Sequence, residues 1–327
     1  MFKKASPKKR SLSTGSKVAF IFPGQGTQWV GMGQDLYQTF PSARQVFDEA
    51  DESLGFDLSR LCFEGPEEKL RQTVYAQPAI LTMSLACLEA AREMGLEPCL
   101  GKPAYVAGYS LGEYTSLVAA GVLDLPEAVS LVRERGRLMQ RASQQERGGM
   151  IAILGLDLET VAEVCEWSGT EIANLNCPGQ VVISGTAETL AEARELAQER
   201  GARRVVTLDV CGPFHSSVMR RALQALGRII SSLRFHHPKV PIVANASARP
   251  LTRSQAVKKE LCIQLCYPVR WQESVNFMVD QGVDTFIELG PGKVLSGMIE
   301  RTAPQVQTIN IGDLPSLERA RKIAPPG

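Results

Sequence analysis

The run Gly108-Tyr109-Ser110-Leu111-Gly112 restricts what this chain can fold into more than any other stretch. The pattern G-x-S-x-G places a serine on a tight turn between a strand and a helix. Such a turn forces close backbone approach on both sides of the serine, and glycine removes the Cβ that would clash. The flanks agree. Tyr105-Val106-Ala107 is a short apolar run upstream, and Glu113 to Ala120 lack Gly and Pro before Gly121 supplies a helix stop. The turn sets Ser110 at a helix N-terminus, where free N–H groups can stabilise an oxyanion. By themselves the five residues also fit an ordinary glycine-rich turn.

A serine nucleophile needs a base. The chain has three histidines, His215, His236 and His237. The last two precede Pro238 in a polar stretch and read as solvated loop residues. His215 follows the strand-like run Arg204 to Val210, within Cys211-Gly212-Pro213-Phe214-His215-Ser216. A loop leaving the carboxyl end of a strand is where open α/β sheets place their chemistry; a packed or capping histidine is the alternative. No Asp or Glu stands out as a third member. A backbone carbonyl can orient the ring instead, since Nδ1–H needs only an acceptor.

Around this pair the chain divides. Residues 1–17 carry Lys3, Lys4, Lys8, Lys9, Arg10 and Lys17 and no acid, and read as a disordered tail; the remainder carries a net charge of −5. Residues 18–147 and 211–316 read as one large α/β body. It opens on the buried-strand run Val18-Ala19-Phe20-Ile21-Phe22, with helices at Pro41 to Asp51, Gln77 to Met94 and Glu127 to Gln145. It resumes with helix 217–233, a strand at Val240 to Asn245, helix 271–281, a strand at Asp284 to Leu289 and helix 293–301. Between them, residues 148–210 read β-α-β-β-α-β, the ferredoxin-like split unit. Residues 317–327 read as a polar tail.

In the helix expected over 127–145, Arg135 falls on the apolar stripe of Ala128, Leu131, Val132, Leu138, Met139 and Ala142, whereas Arg133, Arg137 and Arg141 fall off it. A guanidinium facing a core needs an anion or several acceptors. It is either a clamp for a substrate carboxylate or an internal or snorkelled arginine. Gln25, between two glycines after the first strand, is either a turn residue or an oxyanion donor. Gly290-Pro291-Gly292 lacks the further residues of a phosphate loop.

Other classes are not expected. No apolar run is read as long enough to span a bilayer. The first 17 residues lack the apolar core of a secretory signal, and a transit segment is a second reading of them. No basic-aromatic interleaving suggests nucleic acid. The eight cysteines form no C-x-x-C pair, and Cys262 and Cys266, the nearest two, have no histidine beside them. We therefore expect no metal, reduced thiols and a cytoplasmic protein.

Six stretches stand in an order that matches one family. They are Phe22-Pro23-Gly24-Gln25-Gly26, Gly108 to Glu113, Arg133-Glu134-Arg135-Gly136, Gly212-Pro213-Phe214-His215-Ser216, Pro268-Val269-Arg270-Trp271 and Glu288 to Lys293. From about residue 18 to 315 the chain resembles the malonyl-CoA:acyl carrier protein transacylases of fatty acid synthesis and the free-standing acyltransferases of some polyketide synthases. The resemblance implies a hydrolase-like parallel-sheet body. It implies Ser110 as the acylated nucleophile, His215 as its base and the Gln25 and Leu111 backbone N–H groups as the oxyanion hole. It further implies Arg135 as the binder of the malonyl carboxylate, the Gln264 carbonyl as the group orienting His215, and Asn174 and Asn176 as cleft residues. It implies malonyl-CoA and an acyl carrier protein as substrates, with no cofactor, in a monomer that binds neither nucleic acid nor membrane.

One position departs from the family, which usually has His where this chain has Tyr109; packing or substrate preference is what that puts in doubt. Phe214 resembles malonyl-selective members, because its bulk would crowd an α-methyl, although one methyl is worth only ~1–3 kcal/mol. Arg203, Arg204, Arg220 and Arg221 flank the His215 segment and are candidates for docking an acidic carrier protein. A malonyl-CoA hydrolase and a non-catalytic carrier-binding subunit are the rival readings.

Overall fold

The structure, a computed structural model, describes residues 16–96 and 102–323. Most of the expected basic tail lies outside them. Lys17, assigned to that tail, belongs to the body: its carbonyl accepts from Asp284 N at 3.0 Å and its Nζ donates to Gln281 O at 2.6 Å. The described strands are β1 (Val18–Phe22), β2 (Tyr105–Gly108), β3 (Gly148–Leu154), β4 (Glu171–Cys177), β5 (Gln180–Thr186), β6 (Arg204–Thr207), β7 (Ile242–Val243), β8 (Pro250–Leu251), β9 (Thr285–Leu289) and β10 (Gln307–Ile311).

Six of them form a sheet in the order β10-β9-β1-β2-β7-β8, parallel except where β8 turns back on β7. All five β1 residues are apolar and buried, because helices cover both faces. Val18, Phe20 and Phe22 face helices Pro41–Leu54, Thr73–Glu93 and Leu125–Gln145; Ala19 and Ile21 face helices Trp271–Asp280 and Val294–Thr302. Among the described helices, Thr73–Glu93 is long and apolar enough to cross a membrane, which the sequence reading missed. Its residues Ile80, Leu81, Met83 and Leu88 are buried in the body's core.

The inserted segment makes a second, fully antiparallel sheet in the order β4-β5-β3-β6. Strand alternation divides β3. Ile151 and Ile153 pack under helices Leu158–Ser168 and Ala187–Glu199, while Met150 and Ala152 face the body. A backbone bridge joins the units: Leu175 N donates to Val269 O and Val269 N to Ala173 O, both at 2.9 Å.

Several elements differ from expectation. The strand expected over Val240 to Asn245 keeps only Ile242–Val243, since Pro241 has no N–H for the ladder and Asn245 bonds elsewhere. Helix 217–233 begins as a 3₁₀ turn, Ser217–Met219. Helix Ser254–Gln264 was not anticipated, because Lys258, Lys259 and Glu260 blur its apolar stripe. Of the expected tail over 317–327, residues 317–323 belong instead to helix Leu314–Ile323, which buries Leu317 and Ala320 one turn apart, and 324–327 lie outside the described residues.

Candidate active site

The nucleophile turn is built as its glycines require. β2 ends at Gly108 and helix Leu111–Ala119 begins one residue after Ser110. Ser110 has φ 51°, a left-handed conformation that a side chain adopts only under constraint. A Cβ on Gly108 would overlap the Gly112 carbonyl, and one on Gly112 would overlap the Phe22 carbonyl. Asn245 clamps the turn from both sides: Ser110 N donates to its Oδ1 at 2.7 Å, and its Nδ2 donates to Gly108 O at 2.6 Å.

Hydrogen bonding fixes the proton positions at the serine. His215 Nδ1 lies 3.0 Å from Gln264 O and 3.1 Å from Tyr267 O. Both are carbonyl acceptors, so Nδ1 carries the proton and Nε2 presents a lone pair. Nε2 lies 2.8 Å from Ser110 Oγ. Arg135 Nη2 also donates to that Oγ, at 3.0 Å. The hydroxyl therefore accepts from Arg135 and donates to His215.

Arg135 is 1% exposed. Helices Leu125–Gln145 and Thr73–Glu93 come close enough to sequester it because Gly136, whose Cβ would press on the Thr73 carbonyl, has none. Its other donors meet neutral acceptors, Gln77 Oε1 at 2.8 Å and Gln264 Oε1 at 3.1 Å, and its guanidinium lies 5.1 Å from the Tyr114 ring centre. Its Nε has no acceptor, and no carboxylate among the described residues bonds to it. The buried Glu113 carboxyl attracts this cation without bonding to it, and burial holds that carboxyl well above its usual range, so it gives the guanidinium little compensating charge.

Burial, and secondarily the Arg135 charge, depress the His215 pKa to about 4, which leaves the imidazole neutral at physiological pH. Behind the turn, burial and the neighbouring Glu260 push the Glu113 carboxyl well above its usual range. Gln264 Nε2 links this carboxyl to the nucleophile, donating to Glu113 Oε2 at 2.5 Å and to Ser110 O at 2.9 Å.

A cavity of about 300 Å³ brings together Gln25, Ser110, Leu111, Arg135, Asn174, Asn176, Phe214 and His215. Gln264 sits behind it. The Gln25 side chain donates to Thr73 Oγ1 at 3.1 Å, away from any oxyanion role, while the Gln25 and Leu111 backbone N–H groups find no acceptor among the described residues. The structure separates the four candidate docking arginines. Arg220 and Arg221 line a groove with Ser217 and Gln145 just beyond His215, whereas Arg204 pairs with Leu154 at the far end of β6. His236 and His237 are exposed loop residues. Asn245, Gln77 and Glu113 were missed. Asn245 carried one signal, a polar residue at the carboxyl end of a parallel strand; Glu113 stood at the end of a stretch that matches the family, with no role read for it; Gln77 carried none.

Comparison with known proteins bears on the family and the fold. The acyl transferase domain family matches residues 19–321. A malonyl CoA-acyl carrier protein transacylase of Bacillus subtilis is 46% identical over 310 residues, 93% of this chain and 96% of that one. The crystal structure of a malonyl-CoA:acyl carrier protein transacylase from Xanthomonas oryzae superposes with TM-score 0.90 at 41% identity, covering 95% of this chain and 99% of the other. A malonyl-transacylase solved in complex with its type II PKS acyl-carrier protein gives TM-score 0.89 at 39% identity, covering 94% and 99%. With the fold, the serine turn and these likenesses together, the chain belongs to the malonyl-CoA:acyl carrier protein transacylase family of acyl transferases.

Proposed function

We propose that this chain moves a malonyl group from malonyl-CoA to the phosphopantetheine thiol of an acyl carrier protein through a Ser110 ester. The observation that carries the reading is the buried Arg135, to which no carboxylate among the described residues bonds and which lies 3.0 Å from the nucleophile. A malonyl carboxylate supplies the missing charge and places the thioester carbon at Ser110 Oγ. His215 Nε2 takes the hydroxyl proton as Oγ attacks. The Gln25 and Leu111 N–H groups hold the tetrahedral oxyanion. The carbon–sulfur bond breaks and His215 returns the proton to the departing CoA thiol. The carrier thiol then gives its proton to His215 and attacks the ester, and His215 restores the serine hydroxyl.

Phe214, buried beside His215, crowds substituents on the malonyl α-carbon. No metal or cofactor takes part. The enzyme acts as a cytoplasmic monomer, its site complete within one chain, and binds neither nucleic acid nor membrane. Arg220 and Arg221 dock the acidic carrier.

Intact-mass analysis after brief mixing with malonyl-CoA tests this. One malonyl adduct on Ser110 is expected, discharged by holo carrier protein and absent in S110A. R135A should slow malonyl acylation about a hundredfold while acetyl-CoA, poor with the wild type, gains relative to it. Steady CoA release with no adduct would make the protein a hydrolase; neither adduct nor release would leave a binding subunit.

A further inference from the structure

Tyr109 stands where the family usually has histidine, and the mechanism above gives it no part. Its ring meets Trp271 edge-on, with centroids 5.9 Å apart. Its hydroxyl donates to Asn176 Oδ1 at 2.6 Å, reaching from the nucleophile turn to β4 of the inserted unit. Asn176 is 3% exposed and lines the cavity. With Oδ1 taken, the free end of its amide is Nδ2, whose two hydrogens have no acceptor among the described residues. Asn174, two residues along the same strand face, is 4% exposed, also lines the cavity, and makes no side-chain hydrogen bond among the described residues. One of the two amides is thus braced and the other is not.

We propose that Tyr109 is a positioning residue that acts through Asn176: by occupying Oδ1 it fixes the amide with its Nδ2 donors presented to the cleft, where they hold an acceptor oxygen of the incoming thioester arm. An unbraced primary amide can flip and offer either end; a braced one offers donors only. The ligand group is a neutral carbonyl, as in the amides of a pantetheine chain, because the acyl carboxylate is taken by Arg135. This inference rests on the acyl-transfer reading above.

The test is a double-variant cycle on self-acylation, with the maximal rate and the half-saturating malonyl-CoA concentration measured for wild type, Y109F, N176A and Y109F/N176A. Tyr109→Phe keeps the ring and its contact with Trp271. We expect Y109F to raise half-saturation about fivefold with a maximal rate within about twofold of wild type, an effect the size of one neutral hydrogen bond. In the N176A background Y109F should then change nothing, while its effect should persist in N174A. An equal effect of Y109F with and without Asn176 would overturn the proposal. So would a Y109F variant that melts several degrees lower and loses maximal rate, since that is packing. If the wild type takes no malonyl group at all, the acyl-transfer reading itself fails, which is a different result from an acylating enzyme without coupling.

Discussion

His215 is neutral in the resting site mainly because it is buried, and secondarily because Arg135 opposes a second cation. The acid limb of kcat/KM for acylation should accordingly fall near pH 4, well below an ordinary histidine. Removing the guanidinium removes one depressing cause, so in R135A the limb should move to higher pH; rates from pH 4 to 8 decide it. Stability follows the same group. The folded pKa lies below the usual 6.5, so the unfolded chain binds the extra proton first. Stability from this group is complete above about 6.5 and declines towards 4, by roughly 1.4 kcal/mol per pH unit. H215Q should flatten that part of a denaturation profile. At this scale Ser110, His215 and Arg135 stood out as candidates, because each breaks a local rule (a serine between glycines, a histidine after a strand, a charge on an apolar stripe), while the role assigned to each came from the family resemblance. Asn245 and the side chain of Gln264 break none. They are uncharged and serve backbone and side-chain groups distant in sequence, which no local pattern records.

The strand-turn-helix around Ser110 works because two absent side chains let three backbone segments touch. G112A sets a methyl against the Phe22 carbonyl at the end of β1, where the backbone has no room to yield. We expect a loss of about 3 kcal/mol or more in urea denaturation, or insoluble protein. A G26A control, where a Cβ would meet nothing within 4 Å, should cost less, its φ of 96° notwithstanding. Elements with strong periodicity or clear punctuation were legible: β1, the helix expected over 127–145 and observed over Leu125–Gln145, and most of the strands and helices of the insertion. Helices Ser254–Gln264 and Leu314–Ile323 were not. Their polar residues dilute a stripe that only the neighbouring layers make meaningful, and the first of them delivers Gln264 to the site.

For the whole molecule, the change in element rhythm after Gly148-Gly149 suggested an inserted unit, and the chain has two sheets, but which arginines share the site's mouth depended on how β6 runs. Arg220 and Arg221 sit at the groove beyond His215; Arg203 and Arg204 lie towards the other end of that strand. R220E/R221E should slow turnover with carrier protein about tenfold at low salt and leave self-acylation by malonyl-CoA within twofold. R203E/R204E should do much less. Equal losses in both assays would show that the first pair supports the fold rather than the partner.

The paired bonds between Val269 and β4 give the cavity a fixed gauge. Its two walls are joined by one main-chain bridge of two hydrogen bonds. A ping-pong transferase admits two visitors in turn that differ greatly in bulk yet enter by the same slender arm. A slot of constant width suits both and needs no door. Amide exchange at Leu175 and Val269 should then be as slow in the empty protein as in the acylated one, with discrimination residing in charge and bore, not in closure.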